Sequence, residues 1–504
     1  MSGEQGVLFT SSVETARRSH NVHAQPFFKK FVWRTVPLLV FGALIGISAA
    51  SSTALICVLA LFALASTTMS YLEYRWRTYS LEDTERYEAV MFPEPRRDPA
   101  RIKVEDLHSF TLIVPAFHEE DVIGRTLETL AQQKYPRSKF EVLVTLRDDD
   151  HGTISAALEV AQRHPDVIRV YVGSFGGLDN KSTQMNAVLP FARGEFVSPI
   201  DAEDIVADEL LLYVDAMLHR TKADVVQGGV QLTNLDNKSD GPWLGQIANF
   251  VRSGWFAVHN CMEYRAWFTS RLQFQQSMNF VPLGGNTVFI RTRFVIEDGG
   301  WNDMCLTEDC DLGIRLSVER GAKIVAAYSS TLATREHTPP RIFGKGSLFK
   351  QRVRWDQGFW QVMQSAPWTK LPTLGQRLMA FYILGMPLLQ AMNVFLLPLC
   401  VSTIFYLHAP LWVALLLFQP FIPMTLTLSL QIMELRAFGD EFDIKVRPRH
   451  YVSLMIGYFP YQVLIGVAAI VAIAREEVGI RSWSKTARSK NIHNQLGKVD
   501  GAMA

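Results

Sequence analysis

The residues of this chain that avoid water gather at its two ends. From Thr35 to Leu72 there is almost no charge, and Met379 to Tyr406, Leu411 to Met433 and Tyr451 to Ala474 form three further apolar runs. A helix needs roughly 17–25 apolar residues to cross the hydrocarbon core, so both ends are predicted to enter a bilayer, with the mixed middle folding beside it. The small polar cluster Ser48 to Thr53 divides the first run into two short arms, which predicts a transmembrane hairpin over 35–72. A cleaved signal peptide fits poorly, because the run starts far in and a second apolar run follows at once. Arg17, Arg18, Lys29, Lys30 and Arg34 precede the hairpin and Arg75 and Arg77 follow it. That distribution places the 1–34 segment and the 73–108 linker in the cytoplasm.

The second apolar block, 373–474, carries Pro387, Pro398, Pro420, Pro423 and Pro460, which neighbouring helices can accommodate inside a membrane. Three crossings would leave the 475–504 tail outside. Its basic residues Arg475, Arg481, Lys485, Arg488 and Lys490 place it inside, so the bundle is expected to hold three or four helices. The chain is then an integral plasma-membrane protein with a cytoplasmic middle. At 504 residues it is long enough for two or three folding units. A net charge of +1 with only 20% charged residues excludes the basic footprint of a nucleic-acid binder. Its five cysteines are scattered and suggest neither a disulfide framework nor a zinc site.

Between 109 and 340 the pattern changes to short apolar runs, Phe110 to Val114, Phe140 to Leu146, Ile168 to Val172 and Phe196 to Ile200, separated by helical stretches. Such alternation predicts a mostly parallel α/β sheet, whose ligands sit beyond the carboxyl ends of the strands. The first strand exits into Phe117-His118-Glu119-Glu120, where Phe117 can stack on a base and Glu119 can accept hydrogen bonds; an acidic helix N-terminus is the plainer account. The second exits into Asp148-Asp149-Asp150, three carboxylates that either converge on a cation or diverge into solvent. The fourth exits into Asp201-Ala202-Glu203-Asp204, and an extended exit would turn Asp201 and Glu203 to one side as hard oxygen ligands for Mg²⁺ or Mn²⁺. Further on come Gly284-Gly285-Asn286, Thr307-Glu308-Asp309 at the start of a helix, and Gln351-Arg352-Val353-Arg354-Trp355. The last lies in an aromatic and cationic run, 341–372, that reads as amphipathic helices at the membrane interface.

This order of motifs, Val114 to Glu120, Asp148 to Asp150, Asp201 to Asp204, Thr307-Glu308-Asp309 and Gln351-x-x-Arg354-Trp355, resembles the membrane-integrated family 2 glycosyltransferases, the group of cellulose, chitin and hyaluronan synthases. The resemblance implies a GT-A (Rossmann-like) α/β domain over 109–340, a UDP-sugar donor and a divalent metal. It implies Asp309 as the base beside Glu308 and Thr307, and Phe117, Glu119, Asp149 or Asp150, Lys181, Asp201, Gln351 and Arg354 on the donor. Gly284, Gly285, Asn286 and Trp355 would meet the acceptor, Asp201 with Glu203 or Asp204 the metal. Arg352 is expected to contact lipid headgroups. The implied activity is processive polymerisation of a β-linked polysaccharide, with UDP-glucose the first donor to consider and the growing chain fed through the membrane. Transfer of one sugar to a lipid carrier is the alternative, and a transporter or receptor with an inactive transferase-like domain is a third.

Overall fold

The computed structural model describes residues 7–9, 51–81, 103–175, 180–235, 254–329, 333–395 and 410–481, with the single positions 43, 398, 401 and 405. Its centre is an eight-stranded sheet. In chain order the strands are β1 (Val7–Phe9), β2 (Phe110–Ala116), β3 (Phe140–Arg147), β4 (Ile168–Gly173), β5 (Phe196–Pro199), β6 (Val225–Gly228), β7 (Val230–Leu232), β8 (Val288–Arg291), β9 (Ile324–Ala327) and β10 (Thr334–Glu336). The spatial order is β1-β4-β3-β2-β5-β8-β6-β9, and β7 and β10 form a separate parallel pair. Neighbours run parallel except around β8, which is antiparallel to β5 and β6.

The continuous apolar runs of β2 and β3 follow from burial on both faces, since a sheet covered on each side has no polar face to alternate with. Leu112, Val114, Val142 and Val144 pack on the Ile123–Ala131, His151–Arg163 and Leu210–Thr221 helices. Ile113 and Leu143 face the opposite layer, with Val258, Met262, Leu312 and Leu316. That second layer also takes in Leu435, Phe438, Phe442 and Leu454 from the apolar C-terminal helices. The α/β domain and the membrane-type helices therefore share a hydrophobic core. The fold is the expected GT-A-like mixed-sheet α/β architecture. The four predicted strands match β2 to β5, whereas β1 and β6 to β10, each three or four residues long, lie outside the predicted runs.

Three described helices are long and apolar enough to cross a membrane: Ile56–Trp76, Leu411–Glu441 and Pro448–Glu477. The first belongs to a helix spanning Ser52–Leu81, which passes the expected end of the hairpin at Leu72. The arm before it lies outside the described residues, apart from position 43. The expected span from Met379 to Tyr406 is broken. Leu374–Leu384 and Met386–Asn393 are separate helices meeting at Gly385, with Pro387 in the first turn of the second. Proline has no N–H and fits a first helical turn better than an interior, and most of 394–409 lies outside the described residues. The expected interfacial helix is Leu348–Gln364, and it is not a surface element. Leu348, Gln351, Arg352, Val353, Gln357 and Trp360 are buried, and Val353 packs against Ala468 and Ala472 of the last helix.

Gly313 fixes how the helix bearing Glu308 and Asp309 docks. A Cβ there would lie 2.5 Å from the Val281 carbonyl oxygen and 2.6 Å from the Leu283 nitrogen. Backbone cannot yield as a side-chain tip can. Gly313→Ala is expected to lower stability by about 1–3 kcal/mol, read as a fall in thermal unfolding midpoint in detergent.

Candidate active site

The exits of β2, β3 and β5 open into one cavity of ≈ 760 Å³. Its first wall is Phe117, Glu119 and Arg147. The Arg147 guanidinium lies 4.1 Å from the Phe117 ring centroid, and it is held by a two-pronged ion pair to Asp149, at 2.8 and 2.6 Å. The three aspartates of β3's exit diverge. Asp148 and Asp149 are exposed, while Asp150 is buried and turned away from the cavity. Its carboxylate accepts from the Thr153 N–H at 3.3 Å, capping the His151–Arg163 helix, and from the His118 N–H at 2.6 Å. His118 has φ +54°, so Asp150 stabilises the turn that presents Phe117 and Glu119. Asp150 therefore shapes this wall without lining it, Asp149 meets it through Arg147, and Arg147 carries no motif in the sequence.

The exit of β5 is a turn where an extended strand was expected. The Asp204 N–H donates to the Asp201 carbonyl at 3.1 Å, and Asp204 Oδ2 accepts from the Asp201 N–H at 2.8 Å. Closing the turn brings Asp204 in beside Asp201, with Glu336 of β10 as the third member. Carboxylate oxygens of these three lie within 4.8 Å of one another. Glu203 lines the cavity outside that group. Asn286 donates to both Asp204 Oδ2 (2.5 Å) and Glu336 Oε1 (3.1 Å), so it organises the acids while lining the cavity. Lys181 Nζ meets Asp201 Oδ1 at 2.5 Å and the Gly285 carbonyl at 2.9 Å. Its helix is capped by the Asn180 side chain accepting from the Thr183 N–H. Glu336 has no signal in the sequence, because β10 is three residues long and follows residues with no apolar period.

Thr307 occupies the N-cap position of the Glu308–Ile314 helix, yet its hydroxyl makes no capping bond. It is buried against Gly358 of the Leu348–Gln364 helix, where any side chain would collide with its Oγ1. Asp309 Oδ1 accepts from the Cys310 N–H at 2.8 Å. A Cβ on Gly285 would lie 2.8 Å from Asp309 Oδ2, so the glycine makes room for this carboxylate. Burial raises the pKa of both acids, and the cations Lys181 and Arg354 oppose the rise. Glu308, further disfavoured by the Asp309 charge, is pushed up to about 7. The loop ahead of them is held from the membrane side. The Leu306 N–H donates to Gln361 Oε1 at 2.9 Å, and Gln361 Nε2 donates to the fully buried Glu476 at 2.9 Å.

Gln351, Arg354 and Trp355 all reach the cavity, as expected, and so does Arg352. Arg352 does not meet headgroups. It is buried, pairs with Glu263 at 3.0 and 2.7 Å, and also donates to Asn260 Oδ1 at 2.6 Å. Its guanidinium sits 4.7 Å from the Trp355 ring centroid, and the Tyr264 and Trp355 ring centroids are 6.0 Å apart. The cavity then runs on to Ile383, Met386, Gln390 and Ile465 of the apolar helices. Phe117, Glu119, Lys181, Asp201, Gly284, Gly285, Asn286, Glu308, Asp309, Gln351, Arg354 and Trp355 are thus gathered around one space; Asp149 and Asp150 stand behind its wall.

Residues 108–358 match the family described as Glycosyltransferase like family 2. Over 276 residues the chain is 28% identical to a β-monoglucosyldiacylglycerol synthase of Nostoc sp., covering 54% of this chain and 53% of that protein. It is 22% identical over 263 residues to a poly-β-1,6-N-acetyl-D-glucosamine synthase of Staphylococcus aureus, covering 52% and 57%. The chain thus spans about half the length of the curated relatives it matches. Among solved structures it is similar to the mannosyltransferase PcManGT of Pyrobaculum calidifontis in complex with GDP-Man and Mn²⁺, at 16% identity and TM-score 0.47, covering 83% of this chain and 99% of that one.

Glu308 gives a pH test. Between its ordinary pKa of 4.5 and its folded value of about 7, the folded chain keeps a proton that the unfolded chain has released. Stability contributed by this group is therefore full below pH 4.5, falls as the pH rises, and is lost above 7. Glu308→Gln should flatten the slope of unfolding midpoint against pH between 5 and 7 relative to the unaltered chain.

Proposed function

Because this chain belongs, through residues 108–358, to the family 2-like glycosyltransferases, we propose that it moves a hexose from a UDP-sugar, with inversion, onto a hydroxyl that reaches Asp309 from the membrane side. The observation that carries this is the continuity of the cavity. One space runs from Phe117 and Arg147, past Asp201 and Asp309, to Ile383 and Ile465 of the apolar helices. The catalytic domain lies on the cytoplasmic side in this reading, where nucleotide sugars are found.

Phe117 and Glu119 hold the nucleotide end, with Arg147 fixed beside them by Asp149. Asp309 takes the proton from the acceptor hydroxyl as its oxygen attacks the anomeric carbon and the bond to the diphosphate breaks. A raised carboxylate pKa suits a general base, and Gly285 leaves the room in which that carboxylate sits. Lys181 and Arg354 place positive charge at the same point, balancing the acids before the reaction and the departing diphosphate after it. Asp201, Asp204 and Glu336 offer hard oxygen donors with a surplus of negative charge over Lys181, which fits Mg²⁺ or Mn²⁺. When bound, such an ion supplies Lewis-acid stabilisation of the diphosphate.

Two products are compatible with the acceptor end. Single transfer to a lipid hydroxyl has the more specific support, from the apolar lining Ile383, Met386 and Ile465 and from the name of the Nostoc relative. Elongation of a β-linked polysaccharide, with the chain passing into the helices, is supported by the aromatic wall of Trp355 and Tyr264. With radiolabelled UDP-glucose, label extractable into organic solvent and resolved by thin-layer chromatography marks the first product; precipitable polymer marks the second.

Asp309→Asn should lower turnover about 10²–10⁴-fold while UDP binding stays within a factor of two or so; turnover at the unaltered rate would refute the base assignment. Asp204→Asn should weaken Mn²⁺ and UDP binding together, measured by calorimetry, whereas Glu203→Gln should leave both nearly intact. The reverse ranking would restore Glu203 as the partner of Asp201.

A further inference from the structure

At the opposite end of the sheet from the cavity, two histidines and an aspartate converge. His108 stands two residues before β2, and Asp215 and His219 lie one turn apart on the Leu210–Thr221 helix, where i,i+4 spacing puts both side chains on one face. β2 is seven residues long, so roughly 20 Å of strand separates this cluster from the Phe117 wall. One metal-ligating atom from each of the three residues lies within 4.8 Å of the other two.

The members are fixed by their surroundings. Asp215 is buried, and its Oδ1 accepts from the His108 backbone N–H at 3.0 Å and meets His108 Nδ1 at 2.8 Å. The Tyr135 hydroxyl donates to the His108 carbonyl at 2.8 Å, so both backbone groups of His108 are held. The His108 ring rests edge-on against Phe196, with centroids 5.5 Å apart, and the two imidazole centroids are 4.5 Å apart.

His219 is what a purely hydrogen-bonded account leaves over. Its Nε2 is buried and makes no hydrogen bond, although it faces Asp215 Oδ1 at 3.5 Å. That separation is longer than an ordinary N–H···O bond of about 2.7–3.2 Å. It is close to the roughly 3.3 Å between two ligands that hold one ion tetrahedrally, each about 2.0–2.1 Å from it. His108 and Asp215 are at hydrogen-bond length, and an ion taking the place of their shared proton needs them to part by about 0.5 Å. The side chains of His108 and His219 are 18% and 22% exposed, which leaves a path for an ion and a water.

We infer that His108, Asp215 and His219 form a second metal site, structural in role, that takes a transition ion of the Zn²⁺ class with water as the fourth ligand and ties the Leu210–Thr221 helix to the start of β2. Two imidazoles and one carboxylate suit Zn²⁺ over Mg²⁺, the reverse of the all-oxygen group Asp201, Asp204 and Glu336. The buried Asp215 carboxylate gains a counter-charge that neutral imidazoles do not give. A third group, His118, Glu120 and Asp150, offers one imidazole only, and its Asp150 is committed to the His118 turn and the helix cap.

The test uses the full chain in detergent, freed of metal by a chelator and then given Co²⁺ or Zn²⁺ alone. One equivalent of Co²⁺ should give the strong visible d–d absorption of a tetrahedral ion, which an octahedral oxygen site does not match, and Zn²⁺ should displace it. The unfolding midpoint should rise with Zn²⁺ concentration. His219→Gln should weaken Zn²⁺ binding by more than about 100-fold, the upper range for losing only a supporting partner of a ligand, and should abolish the rise. Asp204→Asn and His118→Ala should keep both the absorption and the rise. Absence of the absorption, or Zn²⁺ binding in His219→Gln as tight as in the unaltered chain, overturns the proposal and leaves a hydrogen-bonded cluster. Should His219→Gln not fold, zinc K-edge absorption of the loaded, unaltered chain decides: two imidazole nitrogens support the site, and one or none overturns it. None of these readouts involves UDP, so failure of the transferase reading leaves them standing.

Discussion

The arrangement turns on how several largely buried carboxylates are kept together. Asp201, Asp204, Glu336, Glu308 and Asp309 line or underlie one cavity, and each would repel the others were they left alone. Lys181 bridges the two groups, holding Asp201 with its ammonium while its charge also steadies Glu308 and Asp309. Asn286 does for Asp204 and Glu336 with neutral donors what Lys181 does for Asp201 with charge. The turn at Asp201–Asp204, the strand pair β7 and β10, and the glycine at 285 can all be understood as geometry needed to bring these acids within reach of their few donors. The same crowding of carboxylate oxygens suits the site to a cation.

What the sequence makes legible is decided by burial. Strands β2 to β5 are readable because a sheet covered on both faces demands unbroken apolar runs, and the exits of β2, β3 and β5 open to the cavity. Glu336 is unreadable because its strand is held by a partner more than a hundred residues away, not by a local pattern. Asp204 loses to Glu203 in any argument from alternation, since only the closed turn shows that the chain does not stay extended. Asp150 looks like a ligand until its cap to Thr153 is seen. Arg352 is the instructive misreading. A cationic, aromatic helix beside membrane spans has the composition of an interfacial anchor, and composition cannot distinguish a lipid headgroup from Glu263 as the counter-charge.

The membrane side shows the same limit. Length and hydropathy find the Leu411–Glu441 and Pro448–Glu477 spans, but they also count Met379 to Tyr406 as one helix when its described part is two. The break at Gly385 converts part of an expected span into cavity wall. Irregular backbone at such depth is tolerated where protein covers it, and here Met363 and Ile383 do so.

Glu476 ends the last apolar helix and is fully buried, taking hydrogen bonds from Gln357, Gln361 and Arg481. Gln361 in turn holds the Leu306 N–H, one residue before Thr307. These bonds join the end of the last apolar helix to the loop that leads into Glu308 and Asp309. A helix that spans a bilayer takes its height from the thickness of that bilayer. Through Glu476, Glu308 and Asp309 are tied to the end of a helix long and apolar enough to cross a bilayer.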